Sequence, residues 1–150
     1  MKRKVKYNLS VLVSKRGQSN VEFLIQLRDL QVYLMDLQEK SPKKFRYLYS
    51  HFLINLAQDA YSSAKCGNSI YISKDSAHED YKMRRKFMLN AYCKIQSLIS
   101  QIEVCYAKYK NDIWSNNEIK TLSEKTFNIN KLLKGVVNSD KRKYKKLIAD

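Results

Sequence analysis

The sequence predicts an all-α protein, an antiparallel up-and-down four-helix bundle (20–138) between a basic N-terminal arm (1–19) and a basic C-terminal tail (139–150). Two observations carry that expectation. One proline and three glycines in 150 residues leave few helix breakers and little material for the tight turns of an all-β fold. Four segments also carry apolar residues at three- and four-residue steps, each opened by residues that cap or start helices.

The first segment places Phe23, Leu27, Leu30, Leu34 and Leu37 on one stripe, and Ser19 followed by Glu22 makes a capping box, so a helix is predicted over about 20–39. Ser41 and Pro42 end it and begin the second. Proline fits a first helical position because its missing N–H has no intrahelical partner to lose. Phe45, Leu48, Phe52, Leu53, Leu56 and Ala60 line the second helix, which Gly67 and Asn68 cap. Residues 66–75 read as a connecting loop whose Ile70, Tyr71 and Ile72 pack down locally.

Ser76 and Glu79 form a second capping box before the longest periodic run, with Met88, Ala91, Tyr92, Ile95, Leu98, Ile99, Ile102 and Tyr106 on one face. Residues 111–114 are the turn. Ser115 with Glu118 then opens the fourth helix, lined by Ile119, Leu122, Ile129, Leu132, Leu133 and Val136 and ending near Asn138. Four amphipathic helices on short links pack most simply as an antiparallel bundle, so the stripes are read as core, Tyr92 and Tyr106 included.

The formal net charge of +15 is concentrated at the ends. The first twenty residues hold Lys2, Arg3, Lys4, Lys6, Lys15 and Arg16 with no acid, and 140–150 hold Lys141, Arg142, Lys143, Lys145 and Lys146 against two aspartates. Lys43, Lys44 and Arg46 crowd the start of the second helix, and Lys82, Arg84, Arg85 and Lys86 that of the third. Cations there oppose the helix dipole, a cost that a bound anion offsets. Clustered cations neutralise phosphates and release counterions, so all these residues are candidates for nucleic-acid contact. In an antiparallel bundle the second and third helices start at opposite ends, so a polyanion would track along the bundle or meet the clusters repeated around a ring of subunits. Eleven tyrosines, several beside cations (Arg46-Tyr47, Lys108-Tyr109-Lys110, Lys143-Tyr144-Lys145), suit stacking on single-stranded or structured nucleic acid.

Other classes find little support. Cys66, Cys93 and Cys105 are odd in number and lack CxxC pairing, which argues against a disulfide scaffold or zinc site and suits a reducing cytoplasm; Cys93 and Cys105 read as buried thiols. No apolar run approaches the roughly 20 residues of a membrane span, and the apolar patch at 9–13 is too short and broken for an export signal. His51 and His78 have no carboxylate at dyad spacing, glycines only at 17, 67 and 135 exclude a phosphate cradle, and the dispersed Asp59, Glu79, Asp80 and Glu103 lack the Glu-x-x-His pairs of a bundle metal site. The expectation is a protein without catalytic residues, metal or cofactor.

The order of segments, Arg28-Asp29-Leu30, and above all the string Asn138-Ser139-Asp140-Lys141-Arg142-Lys143-Tyr144 resemble the accessory variability determinant (Avd) family of diversity-generating retroelements, over about 20–144. The four-helix proteins encoded in ribosomal RNA intervening sequences resemble it less closely. The first resemblance implies a non-enzymatic homopentamer of bundles with a positive surface, which binds a reverse transcriptase and the template-repeat RNA or cDNA in mutagenic copying. Members of that family often close the fourth helix with Leu-Leu-Gly-Ala-Trp, where this chain has Leu132-Leu133-Lys134-Gly135-Val136. The second family leaves open an interaction scaffold of the same fold that does not itself touch nucleic acid.

Overall fold

In the computed structural model, which describes residues 21–148, every regular element among the described residues is helical. Helix α1 (Glu22–Lys40) is followed by α2 (Lys43–Phe45), a π-helical turn (Arg46–Ser50), α3 (His51–Ser69), α4 (Ala77–Tyr109), α5 (Asn116–Lys143) and the short α6 (Lys145–Ile148). The chain is helical without interruption from Lys43 to Ser69. Helix α1 packs against α3 and α5, and α4 packs against the same two, so the four long helices enclose one hydrophobic core.

The first stripe is buried as expected: Phe23, Leu27, Leu30, Leu34 and Leu37 are all at or below 2% exposed. Val21 occupies the N-cap position without a side-chain hydrogen bond, and Ser19 of the expected capping box lies outside the described residues. Ser41 closes α1 by donating its backbone N–H to the Gln38 carbonyl at 3.1 Å and its hydroxyl to the Leu37 carbonyl at 2.7 Å. Pro42 is the residue before the next helix rather than its first member.

The second stripe departs from expectation. Phe45, Leu53, Leu56 and Ala60 are buried, but Leu48 is 54% and Phe52 43% exposed. The π turn explains the change. A π turn holds one residue more than an α turn, so everything after it is rotated by about 100° relative to an uninterrupted helix. Buried positions step from Phe45 across five residues to Ser50 and then by three or four through Leu53, Ala57, Ala60, Ala64 and Gly67. Ser50 donates its hydroxyl to Gln38 Oε1 on α1, which satisfies the polar group that the rotation turns inward.

Gly67 is not the cap of this helix. The helix continues to Ser69, and a Cβ added at Gly67 would stand 3.1 Å from Phe87 Cβ and 3.2 Å from Met88 Cε. Glycine lets α4 pass close here, where any side chain would press on it. In the following connection Tyr71 is 84% exposed rather than packed down.

The expected Ser76–Glu79 capping box does not form, since Ser76 makes no capping bond to the helix. Its hydroxyl instead donates to Asp80 Oδ2 at 2.7 Å, and the Ser73 N–H reaches the same oxygen at 3.1 Å. These bonds, that from Ser76 first, hold the Asp80 carboxyl below its ordinary pKa. Burial along α4 follows the predicted stripe up to Ile102, with Tyr92 and Ile99 partly buried, but Tyr106 is 43% exposed. The last turns instead bury Cys105, and the Tyr109 ring meets Phe45 edge-on at 5.4 Å. Trp114, expected in a turn, is 4% exposed and edge-on to Phe45 at 5.5 Å.

The capping box at Ser115 and Glu118 forms in full: Ser115 Oγ accepts from the Glu118 N–H at 3.1 Å, and Glu118 Oε1 from the Ser115 N–H at 2.9 Å. Helix α5 does not stop near Asn138. It carries the segment expected as a tail onward to Lys143, and α6 follows.

The two helical glycines give opposite expectations. A Cβ at Gly135 meets nothing within 4 Å, so Gly135→Ala should raise stability by about 0.5–1 kcal/mol through helix propensity, whereas Gly67→Leu should cost about 1–3 kcal/mol by overpacking, both read by urea denaturation. Thiol reactivity gives a second check. Burial pushes the Cys105 pKa up to about 11, so at pH 8 it holds little thiolate, while Cys66 and Cys93 are exposed, the latter against expectation. Iodoacetamide at pH 8 should therefore alkylate Cys66 and Cys93 and spare Cys105 until the protein is unfolded, as read by peptide mass spectrometry.

Candidate nucleic-acid interface

Two aromatic rings bring two of the basic clusters together. Tyr81, in the second turn of α4, is 1% exposed and lies 5.1 Å from Tyr144, ring centre to ring centre, at the junction of α5 and α6. Burial raises the Tyr81 phenol above its ordinary pKa, Arg85 opposing and Asp140 adding to the shift. The contact fixes the end of α5 beside the start of α4. Lys82, Arg85 and Lys86 thereby share one end of the molecule with Lys141, Arg142, Lys143, Lys145 and Lys146. Of these eight, all but the half-buried Arg85 are exposed.

Arg84 has a different role from its neighbours. Its Nε donates to Asp140 Oδ2 at 2.6 Å and its second terminal nitrogen to Asp140 Oδ1 at 3.4 Å, a two-pronged ion pair with side chains 15% and 14% exposed. The remaining nitrogen donates to the Gly67 carbonyl at 3.2 Å, in the last turn of α3. One guanidinium thus ties α3, α4 and α5 together, so Arg84 is an internal strut and not a free phosphate contact.

Lys43, Lys44 and Arg46 are exposed at the opposite end, where Phe45 between them is anchored on Tyr109 and Trp114. The span of α4 from Arg84 to Tyr109 sets their distance from the other cluster, roughly 37 Å at 1.5 Å per residue. Lys2, Arg3, Lys4, Lys6, Lys15 and Arg16 lie outside the described residues. The dipole cost expected for the third helix does not arise, because Glu79 and Asp80 fill the first turn of α4 and its cations sit further in. Lys141, Arg142 and Lys143 occupy the last turn of α5, where the dipole favours cations, so they have a local reason to be there as well.

The tyrosines beside cations divide in the same way. Tyr47 projects from the π turn at 82% exposure. Tyr109 is committed to packing on Phe45, and Tyr144 to Tyr81 with the Lys143 ammonium 5.3 Å from its ring.

Next to the shared basic end is a cleft of about 980 Å³, bounded by the start of α1, the α3–α4 connection and the outer face of α5. Its lining is mixed: Ile70, Ile72, Leu132 and Val136 are apolar, and Gln26, Asn128 and Ser139 are polar. Lys131 and Lys143 stand along the α5 side, and Asp140, the only acid among the described lining residues, is paired with Arg84. Periodic reading missed Tyr71, Asn128 and Lys131 as members of one site, because only the tertiary fold sets the loop against α5. Among the described residues no group of three His, Cys, Asp or Glu side chains is placed to hold a metal ion, and no helix is long and apolar enough to cross a membrane.

Asp140→Asn should cost about 1–3 kcal/mol in urea denaturation, because Arg84 keeps its charge in a half-buried place without the carboxylate. Lys141→Gln, exposed one residue away, should stay within about 0.5 kcal/mol of wild type. Set against known proteins, the chain matches no family model, no curated protein and no solved structure.

Proposed function

We propose that this chain is a non-catalytic nucleic-acid-binding accessory protein of the accessory variability determinant type, which joins a retroelement reverse transcriptase to its template-repeat RNA or cDNA. In this reading the long helices form an antiparallel up-and-down four-helix bundle. Contacts such as Ser63 with Asn90 and Gln96 with Asn130 are consistent with that arrangement, as is Tyr33 with the Glu118 carbonyl. Copies of the bundle assemble into a ring, a pentamer in the resembled family.

The observation that carries the proposal is the gathering of two separate basic segments at one end, Lys82, Arg85 and Lys86 on α4 beside Lys141 to Lys146 on α5 and α6. Seven exposed cations on one end hold far more positive charge than solubility requires, and a phosphate backbone is the polyanion that repays them with counterion release. The string that supports the family resemblance, 138–144, also forms this end: Asp140 is its strut and Tyr144 its clamp.

A second reading, an interaction scaffold of the same fold, has its own support. Leu48, Phe52 and Tyr106 are each more than 40% exposed, which suits a protein partner better than a phosphate backbone. Binding to the polymerase with no affinity for RNA would favour the scaffold.

The test is the salt dependence of binding to single-stranded RNA. Each phosphate contact adds about −0.7 to the slope of log K against log salt concentration. Neutralising Lys82, Lys86, Lys141, Arg142, Lys145 and Lys146 to glutamine should therefore flatten the slope by about 4 at most and weaken binding at low salt by orders of magnitude. A slope near zero in the unmodified protein overturns the proposal.

A further inference from the structure

We infer that the cleft between the α3–α4 connection and α5 is a seat for an unpaired nucleotide of the bound strand, with Tyr71 as its stacking platform. The inference rests on the nucleic-acid reading above and adds where, and in what form, the strand is held.

Four features converge. Tyr71 is 84% exposed on the cleft wall, between Ile70 and Ile72, which are partly buried and fix the loop. A large aromatic ring left open to water offers a face to any base, since every base presents a π surface and stacking is indifferent to sequence. Ile70, Ile72, Leu132 and Val136 put apolar side chains in the lining beside it, which suit the plane of a base, among polar ones that can meet its edges. Lys131 and Lys143 are both exposed on α5, three turns or so apart, and so border the opening at two heights where a backbone could run. Finally, Asp140, the one carboxylate among the described lining residues, is neutralised by its two-pronged bond to Arg84, which lessens its repulsion of an approaching phosphate. The volume of about 980 Å³ lies at the upper end of what compact ligand sites occupy, about 300–1,000 Å³, and admits a splayed nucleotide but not a stacked duplex. The cleft also opens beside Lys143, so a strand lying along the basic end reaches it without leaving positive surface.

The assignment distinguishes unpaired from paired nucleic acid, and the experiment does the same. Fluorescence anisotropy of the full chain is measured with a labelled single-stranded oligoribouridylate and with a blunt RNA duplex. Gly135→Trp is the plug: position 135 lines the cleft and an added Cβ there meets nothing within 4 Å, so a bulky side chain can be placed at the cleft without a clash at its base. Thermal unfolding of this variant should be unchanged or raised. Tyr71→Ala removes the platform at an exposed loop position.

Both variants should weaken binding of the single strand by about five- to a hundredfold, the loss expected for one base stack, while duplex affinity and its salt slope stay within twofold of wild type. Lys131→Gln should lower the single-strand slope by about 0.7 and leave the duplex slope alone. If plug and platform variants bind the single strand as wild type does, while the glutamine variants of the basic end still lose it, this inference is overturned and the nucleic-acid reading stands. If the unmodified protein binds neither RNA, both fall together.

Discussion

The close approach of α3 and α4 is the constraint on which the rest of the molecule depends. It is made possible by small residues on α3 at Ala57, Ala60, Ala64 and Gly67, all buried and stepping by three and four along one face. At Gly67 the approach is tight enough that an added Cβ would press on Phe87 and Met88 by a few tenths of an ångström. Because α4 lies that near, Arg84 can reach the Gly67 carbonyl with one nitrogen while holding Asp140 of α5 with the other two. A larger residue in the α3 seam would push α4 away and separate the ends that this guanidinium joins. The position of the basic end therefore follows from the small size of four buried residues.

The π turn at Arg46–Ser50 serves the same seam from the other side. Without its extra residue, Leu48 and Phe52 would face the core and the alanines would rotate away from α4. The inserted residue turns the small-residue face inward, at the cost of placing large apolar side chains in water and one serine in the core. Ser50 is reconciled with that position by its bond to Gln38, so the irregularity is compensated locally where α1 and the second helical stretch meet.

Electrostatics and packing then cooperate at one end and separate at the other. Where α5 ends, the dipole favours Lys141 to Lys143, Asp140 is neutralised by Arg84, and the Tyr81–Tyr144 contact keeps the cations beside those of α4. At the far end Lys43, Lys44 and Arg46 surround Phe45, whose ring is fixed by Tyr109 and Trp114. Both basic surfaces are thus built on buried aromatic anchors, which lets charged side chains cluster without loosening the core beneath them.

What the residues determined unaided is the set of helices and most of their inward faces. The stripes of α1, α4 and α5 and the capping box at Ser115 are local: they depend on a 3.6-residue period and on hydrogen bonds three residues apart, and both are written in the order of the chain. The same logic misplaced Leu48 and Phe52 and put a capping box at Ser76, because an extra residue in one turn and a competing carboxylate at Asp80 are decided by what packs or bonds nearby, and it turned Tyr106 inward where Cys105 takes the buried place. The basic clusters were legible as composition, but not which of them meet. Residues 82–86 and 141–146 are neighbours only because α4 and α5 pack side by side, and Arg84 leaves the list of free cations only because Asp140 arrives within 2.6 Å of it. The cleft was invisible for the same reason: Tyr71 and Lys131 are sixty residues apart in the chain, and a pairing at that separation comes from the shape of the core rather than from any local pattern.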